Sequence, residues 1–157
     1  VETAHAIDCA VPEHEEENHI DCMLWASKRT YKWLMGPYAM GFLYVAMGGA
    51  VGACLRYAMS LWLGGGLLPW ATLATNITGS FVIGLVWGLC AGDEWFQNWG
   101  RLVLVVGLLG GFTTFSAFSL ETIQLLEGGR VVPLLAYVSS TLFGCLAAVW
   151  LGLRVTQ

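Results

Sequence analysis

Thr72, Thr75, Asn76, Gly79 and Ser80 step along the sequence by three, one, three and one, so a helix would carry them on one face, with Leu73, Ile77, Phe81, Val82 and Leu85 elsewhere. Two readings fit this polar stripe. Hydroxyls and small residues join transmembrane helices, as the Gly84-x-x-x-Gly88 spacing further along the same run would. The stripe can also face water or an ion. The second reading is stronger for Asn76, because an amide is costlier than a hydroxyl to leave unpaired in lipid.

A second stretch, Gly107-Leu108-Leu109-Gly110-Gly111-Phe112-Thr113-Thr114-Phe115-Ser116-Ala117-Phe118-Ser119-Leu120-Glu121, holds a glycine pair and four hydroxyl side chains in an apolar run. One reading is a flexible but unbroken packing helix. The other is a helix broken near Gly110 to Thr114, which would free carbonyls for a cation and aim a new helix N-terminus at an anion. Phe112, Phe115 and Phe118 recur every third residue. Such a stripe either packs or presents the positive edges of its rings to an anion, without a full charge that would trap it. Ser116 and Ser119 share the interval and supply hydroxyl donors. Further on, Tyr137, Ser140, Thr141 and Gly144 form a third polar stripe. Arg56 and Glu121 are ionisable residues near the ends of apolar runs, placed to snorkel toward headgroups or to line a vestibule.

These residues belong to a chain of 157 residues that is 57% hydrophobic and 11% charged, against roughly 25% charged in a typical soluble domain. Seven of the eleven acids precede Lys28, so the net charge of −4 belongs to the N-terminal segment and says nothing about a substrate. From Leu34 onward there are four apolar runs, near 38–63, 70–91, 102–126 and 131–153, each meeting the roughly 20 residues that a bilayer crossing needs. They lack strand alternation, which leaves helices as the way to satisfy their backbone in lipid. None has the pattern of a cleaved signal peptide, so all four are expected to be retained. The breaks are Gly64-Gly65-Gly66 to Pro69, Asp93 to Arg101 with Trp95 and Trp99, and Glu127 to Arg130. Links this short predict that sequence neighbours pack as antiparallel pairs. The expected class is an all-α integral membrane protein with residues 34–157 as one four-helix domain. Cys54, Cys90 and Cys145 read as small apolar fillers, and five cysteines give no disulfide framework.

Residues 1–33 are expected to form an acidic, flexible extension. His5, Cys9, His14, His19 and Cys22 have spacings that match no usual paired zinc pattern. Lys28, Arg29, Tyr31, Lys32 and Trp33 are the chemistry of a headgroup-level anchor. Without them the bases balance, with Arg101 and Arg154 on one side and Arg56 and Arg130 toward the other. That balance permits insertion in both orientations.

The sequence from 42 to 155 resembles the small Fluc-type (CrcB-like) fluoride channels. The resemblance is carried by Gly48-Gly49-Ala50-Val51-Gly52-Ala53-Cys54-Leu55-Arg56-Tyr57, by Pro69-Trp70-Ala71-Thr72-Leu73-Ala74-Thr75-Asn76-Ile77-Thr78-Gly79-Ser80-Phe81, and by Gly110 to Glu121 as given above. It implies an antiparallel, dual-topology homodimer in the cell membrane with two fluoride pores and a structural sodium ion at the dimer centre. Carried over by position, the carbonyls of Gly110 and Thr113 would hold sodium. Asn76 would be the pore amide, Phe115 and Phe118 the edge-on rings, Ser116 and Ser119 the hydroxyls beside them, and Tyr137 a pore residue of the fourth helix. Thr114, Arg56 and Glu121 also fall on motif positions. Ala71 stands where a glycine is usual and Ala117 where a hydroxyl is usual. The segment 1–33 has no counterpart.

The expected function is therefore passive export of fluoride, with the lipid bilayer and a second copy of the chain as partners and no nucleic acid. A small four-helix, dual-topology multidrug exporter is the alternative, but its chemistry needs a carboxylate in the first span, which has none. No nucleophile with a base, metal-ligand spacing or phosphate loop occurs in the spans, so no enzyme is expected.

Overall fold

The computed structural model describes residues 37–66 and 68–157, so the expectations for residues 1–33 lie outside the described residues. Contacts divide the chain into residues 1–39 and 40–157, and the packing and site described below lie within the second unit. The described residues form helices α1 (Pro37–Leu63), α2 (Trp70–Cys90), α3 (residues 96–112), α4 (Phe115–Glu127) and α5 (Val131–Val155), with no strand among them. α3 runs in the wide π pattern over Phe96–Gly100 and Leu102–Leu109 and closes with an α turn at Gly110–Phe112. Together α3 and α4 make one span, Phe96–Glu127, and each of the four spans is long and apolar enough to cross a bilayer. The chain is a multi-pass membrane protein.

Sequence neighbours touch, α2 on the third span and α4 on α5, but the closest backbone approaches are between other pairs. Gly48 and Gly52 of α1 lie against the α3 backbone, where a Cβ would stand 2.8 Å from the Leu108 and Phe112 nitrogens respectively. From the other side, a Cβ on Gly107 would meet Val45 O at 2.8 Å and Gly48 Cα at 3.0 Å. In the same way α2 packs most extensively on α5, with Gly84 beside Gly152, Gly88 beside Thr156 and Gly144 beside Ile77. In both pairs the contacts advance in the same sense along the two helices. The first helix thus packs parallel to the third, and the second parallel to the fourth. A short link reverses the chain, but which faces touch is decided by where two backbones can approach, and glycines at matched spacing settle that. These stripes are consumed within the chain itself.

The third span also starts earlier than the sequence predicts. The stretch Asp93 to Arg101, expected as a loop, is helical from Phe96 because Phe96 is fully buried there. Its ring meets Trp87 edge-on at 6.0 Å and Trp95 at 5.8 Å, and Trp95 also packs over Gly100.

Candidate functional site

The third span is broken at two threonines. Thr113 (φ −77°, ψ 157°) and Thr114 (φ −152°, ψ 118°) are extended, whereas Gly110 and Gly111 remain helical. The break expected near Gly110 to Thr114 therefore falls at its C-terminal edge. The glycines have another task, since a Cβ on Gly111 would stand 2.6 Å from Gly49 O.

Asn76 is what Thr114 N–H bonds in place of a helical carbonyl. Its Nδ2 donates to Thr114 O at 3.1 Å, and Thr114 N–H donates to its Oδ1 at 2.8 Å. One buried amide thus gives the Thr114 N–H the acceptor that a continuous helix would have supplied, and adds a second donor to its carbonyl. Thr114 then serves as N-cap of α4, its hydroxyl accepting from Ala117 N–H at 3.3 Å. The same Oγ1 lies 3.2 Å from Ser116 Oγ. On the other side of the break, Thr113 N–H and hydroxyl both donate to Leu109 O at 2.9 Å. Because Thr114 N–H is turned to Asn76, the Gly110 carbonyl has lost the donor that a continuous helix would give it.

Two cavities adjoin this break. One, of about 380 Å³, is lined by Asn76, Ser80, Thr113, Phe115, Phe118 and Thr141, among others. Phe115 is 78% exposed at its rim and stands 5.5 Å from Phe118, ring centre to ring centre. The second cavity, of about 570 Å³, lies across Thr114 and is lined by Arg56, Thr72, Thr75, Ser116 and Glu121. Ala71 and Ala117, the two departures from the family pattern, line this one.

The Glu121 carboxylate ties three helices together. Thr72 of α2 donates to Oε1 at 2.7 Å and Tyr137 of α5 donates to Oε2 at 2.6 Å. Tyr137 is 2% exposed and lines neither cavity, but its ring lies against Phe118 at a 44° tilt, centres 5.3 Å apart, so it joins the carboxylate to the aromatic pair. Ser119 also lines neither cavity, and its hydroxyl donates to Phe115 O at 2.9 Å. Of the residues singled out from sequence, Asn76, Gly110, Thr113, Thr114, Phe115 and Phe118 thus adjoin the first cavity, and Arg56, Thr114, Ser116 and Glu121 the second. Thr72 belongs with them. Its place on the Asn76 stripe was the available signal, but its partner sits 49 residues away.

The sequence pattern of the family described as CrcB-like protein, Camphor Resistance (CrcB), matches residues 43–153. A fluoride-specific ion channel FluC of Bordetella petrii is 48% identical over 115 residues, covering 73% of this chain and 89% of that protein. One from Thermus thermophilus is 46% identical over 117 residues, with 73% and 91% covered. One from Rhizobium johnstonii is 46% identical over 118 residues, with 73% and 94% covered. The match spans all four transmembrane helices and the break with its Asn76 bridge, and this chain belongs to the CrcB-like family.

Proposed function

We propose that this chain is a fluoride-selective passive channel that works as an antiparallel, dual-topology homodimer with two pores, and that it catalyses no reaction. The observation that carries the reading is the Asn76–Thr114 bridge, which opens a membrane-spanning helix and lets hydroxyls and aromatic rings border accessible space. The names of the relatives support the ion. Fluoride is small and strongly hydrated, so it enters a narrow, low-dielectric path only where donors replace its water. The second N–H of the Asn76 amide, the hydroxyls of Thr114 and Ser116, and the edges of Phe115 and Phe118 are donors of moderate strength. They can compensate dehydration without holding the ion so tightly that flow stops.

A second copy could close the open cavity that Asn76, Ser80 and Thr141 line, so that polar groups do not border lipid. A two-fold partner would cover that face. The same face exposes Gly110, whose carbonyl lacks a helical donor, and the C-terminal end of a broken helix carries partial negative charge. Gly110 and Thr113 therefore fit a sodium ion held by carbonyl oxygens. Bound there, sodium would neutralise the helix end.

The test is ion efflux from liposomes holding the purified chain, run for fluoride beside chloride. Rapid fluoride release with little chloride release is expected, and equal release of both ions, or of neither, would refute the reading. Crosslinks engineered between copies should form in antiparallel pairs.

A further inference from the structure

A third cavity, of about 420 Å³, sits at the end of the bundle where α1 and α4 stop and α2 and α5 start. It shares Ser60, Ala71, Thr72 and Glu121 with the cavity that holds Arg56, so the Glu121 carboxylate stands at the junction of the two. Arg130 lines its outer part. The backbone places that arginine firmly. Gly129 takes φ +66°, which glycine adopts without strain, Arg130 N–H donates to Leu125 O at 3.0 Å, and Leu134 N–H donates to Arg130 O at 2.9 Å to start α5. The guanidinium itself has no hydrogen bond or ion pair among the described residues.

This arrangement poses an electrostatic problem for an anion pathway. An anion coming from this end must approach a carboxylate, and the hydroxyls of Thr72 and Tyr137 that bond it are neutral donors. Arg56 lines the inner cavity beside that carboxylate, and a further fixed positive charge at the outer cavity would make the potential at the mouth favourable. We propose that Arg130 is that charge: a rim cation which raises the local fluoride concentration and sets the rate of entry at this mouth. The proposal rests on the channel reading. Arg130 acts at a distance rather than by binding, because it is exposed, and an exposed charge is worth little in contact but steers diffusing ions while salt is low.

The test measures fluoride efflux per reconstituted dimer for the full chain and for Arg130→Gln and Arg130→Lys, in neutral-lipid vesicles at low and high ionic strength. Since the Debye length shrinks from about 30 Å at 0.01 M to about 8 Å at 0.15 M, Arg130→Gln should slow efflux roughly threefold or more at the low value and match the wild type at high salt. Arg130→Lys keeps the charge and should behave as wild type throughout. Unchanged efflux in Arg130→Gln at low salt would overturn the proposal. So would a loss that persists at high salt, which marks a defect of insertion or assembly. A wild-type chain that passes no fluoride would bring down the channel reading itself.

Discussion

Asn76 and Thr114 exchange two hydrogen bonds, Nδ2 to the Thr114 carbonyl at 3.1 Å and Thr114 N–H to Oδ1 at 2.8 Å, across 38 residues of sequence. The side chain of α2 thereby replaces the acceptor that the Thr114 N–H would have had in an unbroken helix and adds a donor to a carbonyl that, as N-cap, opens α4. Leucine at position 76 keeps the bulk but leaves the buried Thr114 N–H unpaired, at about 1–3 kcal/mol. Asn76→Leu should therefore lose about 1–3 kcal/mol and lose transport as well. Thermal unfolding in detergent, paired with fluoride efflux, checks both.

The glycine stripes make a contrast that needs no transport assay. A methyl at Gly52 meets the carbonyl of Leu108 and the nitrogen of Phe112, and backbone cannot step aside as a side chain can. At Gly92 a methyl meets nothing within 4 Å. Gly52→Ala should lower stability by about 1–3 kcal/mol through overpacking, while Gly92→Ala should stay within about 0.5 kcal/mol of wild type. Equal melting temperatures for the two variants would show that α1 and α3 do not approach as closely as described.

Much of this fold was legible because hydropathy and length decide the spans. The first, second and fourth lie within two residues of their predicted ends. The break was legible as one of two readings of a glycine pair and four hydroxyls, the other being an unbroken packing helix. Its place was not. Thr113 and Thr114 are extended because an amide from another helix bonds one of them, while Gly110 and Gly111 stay helical, Gly111 because it packs on Gly49. Nor could the spacing of Gly48, Gly52, Gly107 and Gly111 say which helices they join, since a small-residue stripe shows that a backbone can be approached and not by what. Trp95 and Trp99 looked like loop residues because the buried Phe96 between them only makes sense once Trp87 is beside it.

Thr72 and Tyr137 never touch in sequence logic, yet both donate to one carboxylate, at 2.7 and 2.6 Å. Groups that share a partner should not be independent. Thr72→Val and Tyr137→Phe should each destabilise the fold by about 0.5–1.5 kcal/mol. The double variant should depart from the sum by about 0.5 kcal/mol or more, because the second loss falls on a carboxylate already short of a donor. Strict additivity in denaturation would mean that Glu121 does not join these helices.

The aromatic pair separates packing from conduction most sharply. Phe115 is 78% exposed and lies 5.5 Å from Phe118, which in turn lies against the buried Tyr137. An exposed ring contributes little to the packing of its own protomer, so Phe115→Ile should leave the melting temperature of the protomer nearly unchanged. Phe118→Ile gives up ring contacts on two sides and should cost about 1 kcal/mol. If ring edges replace part of the fluoride hydration shell, both substitutions keep apolar bulk while removing the quadrupole, and efflux per folded dimer should fall sharply in each. Rings that merely pack would give the same order of stability, with Phe118→Ile less stable and Phe115→Ile silent, but flux per dimer preserved in both. Efflux and thermal stability measured on the same preparations decide between these patterns, and undiminished fluoride flux in both single variants would end the ring-edge mechanism.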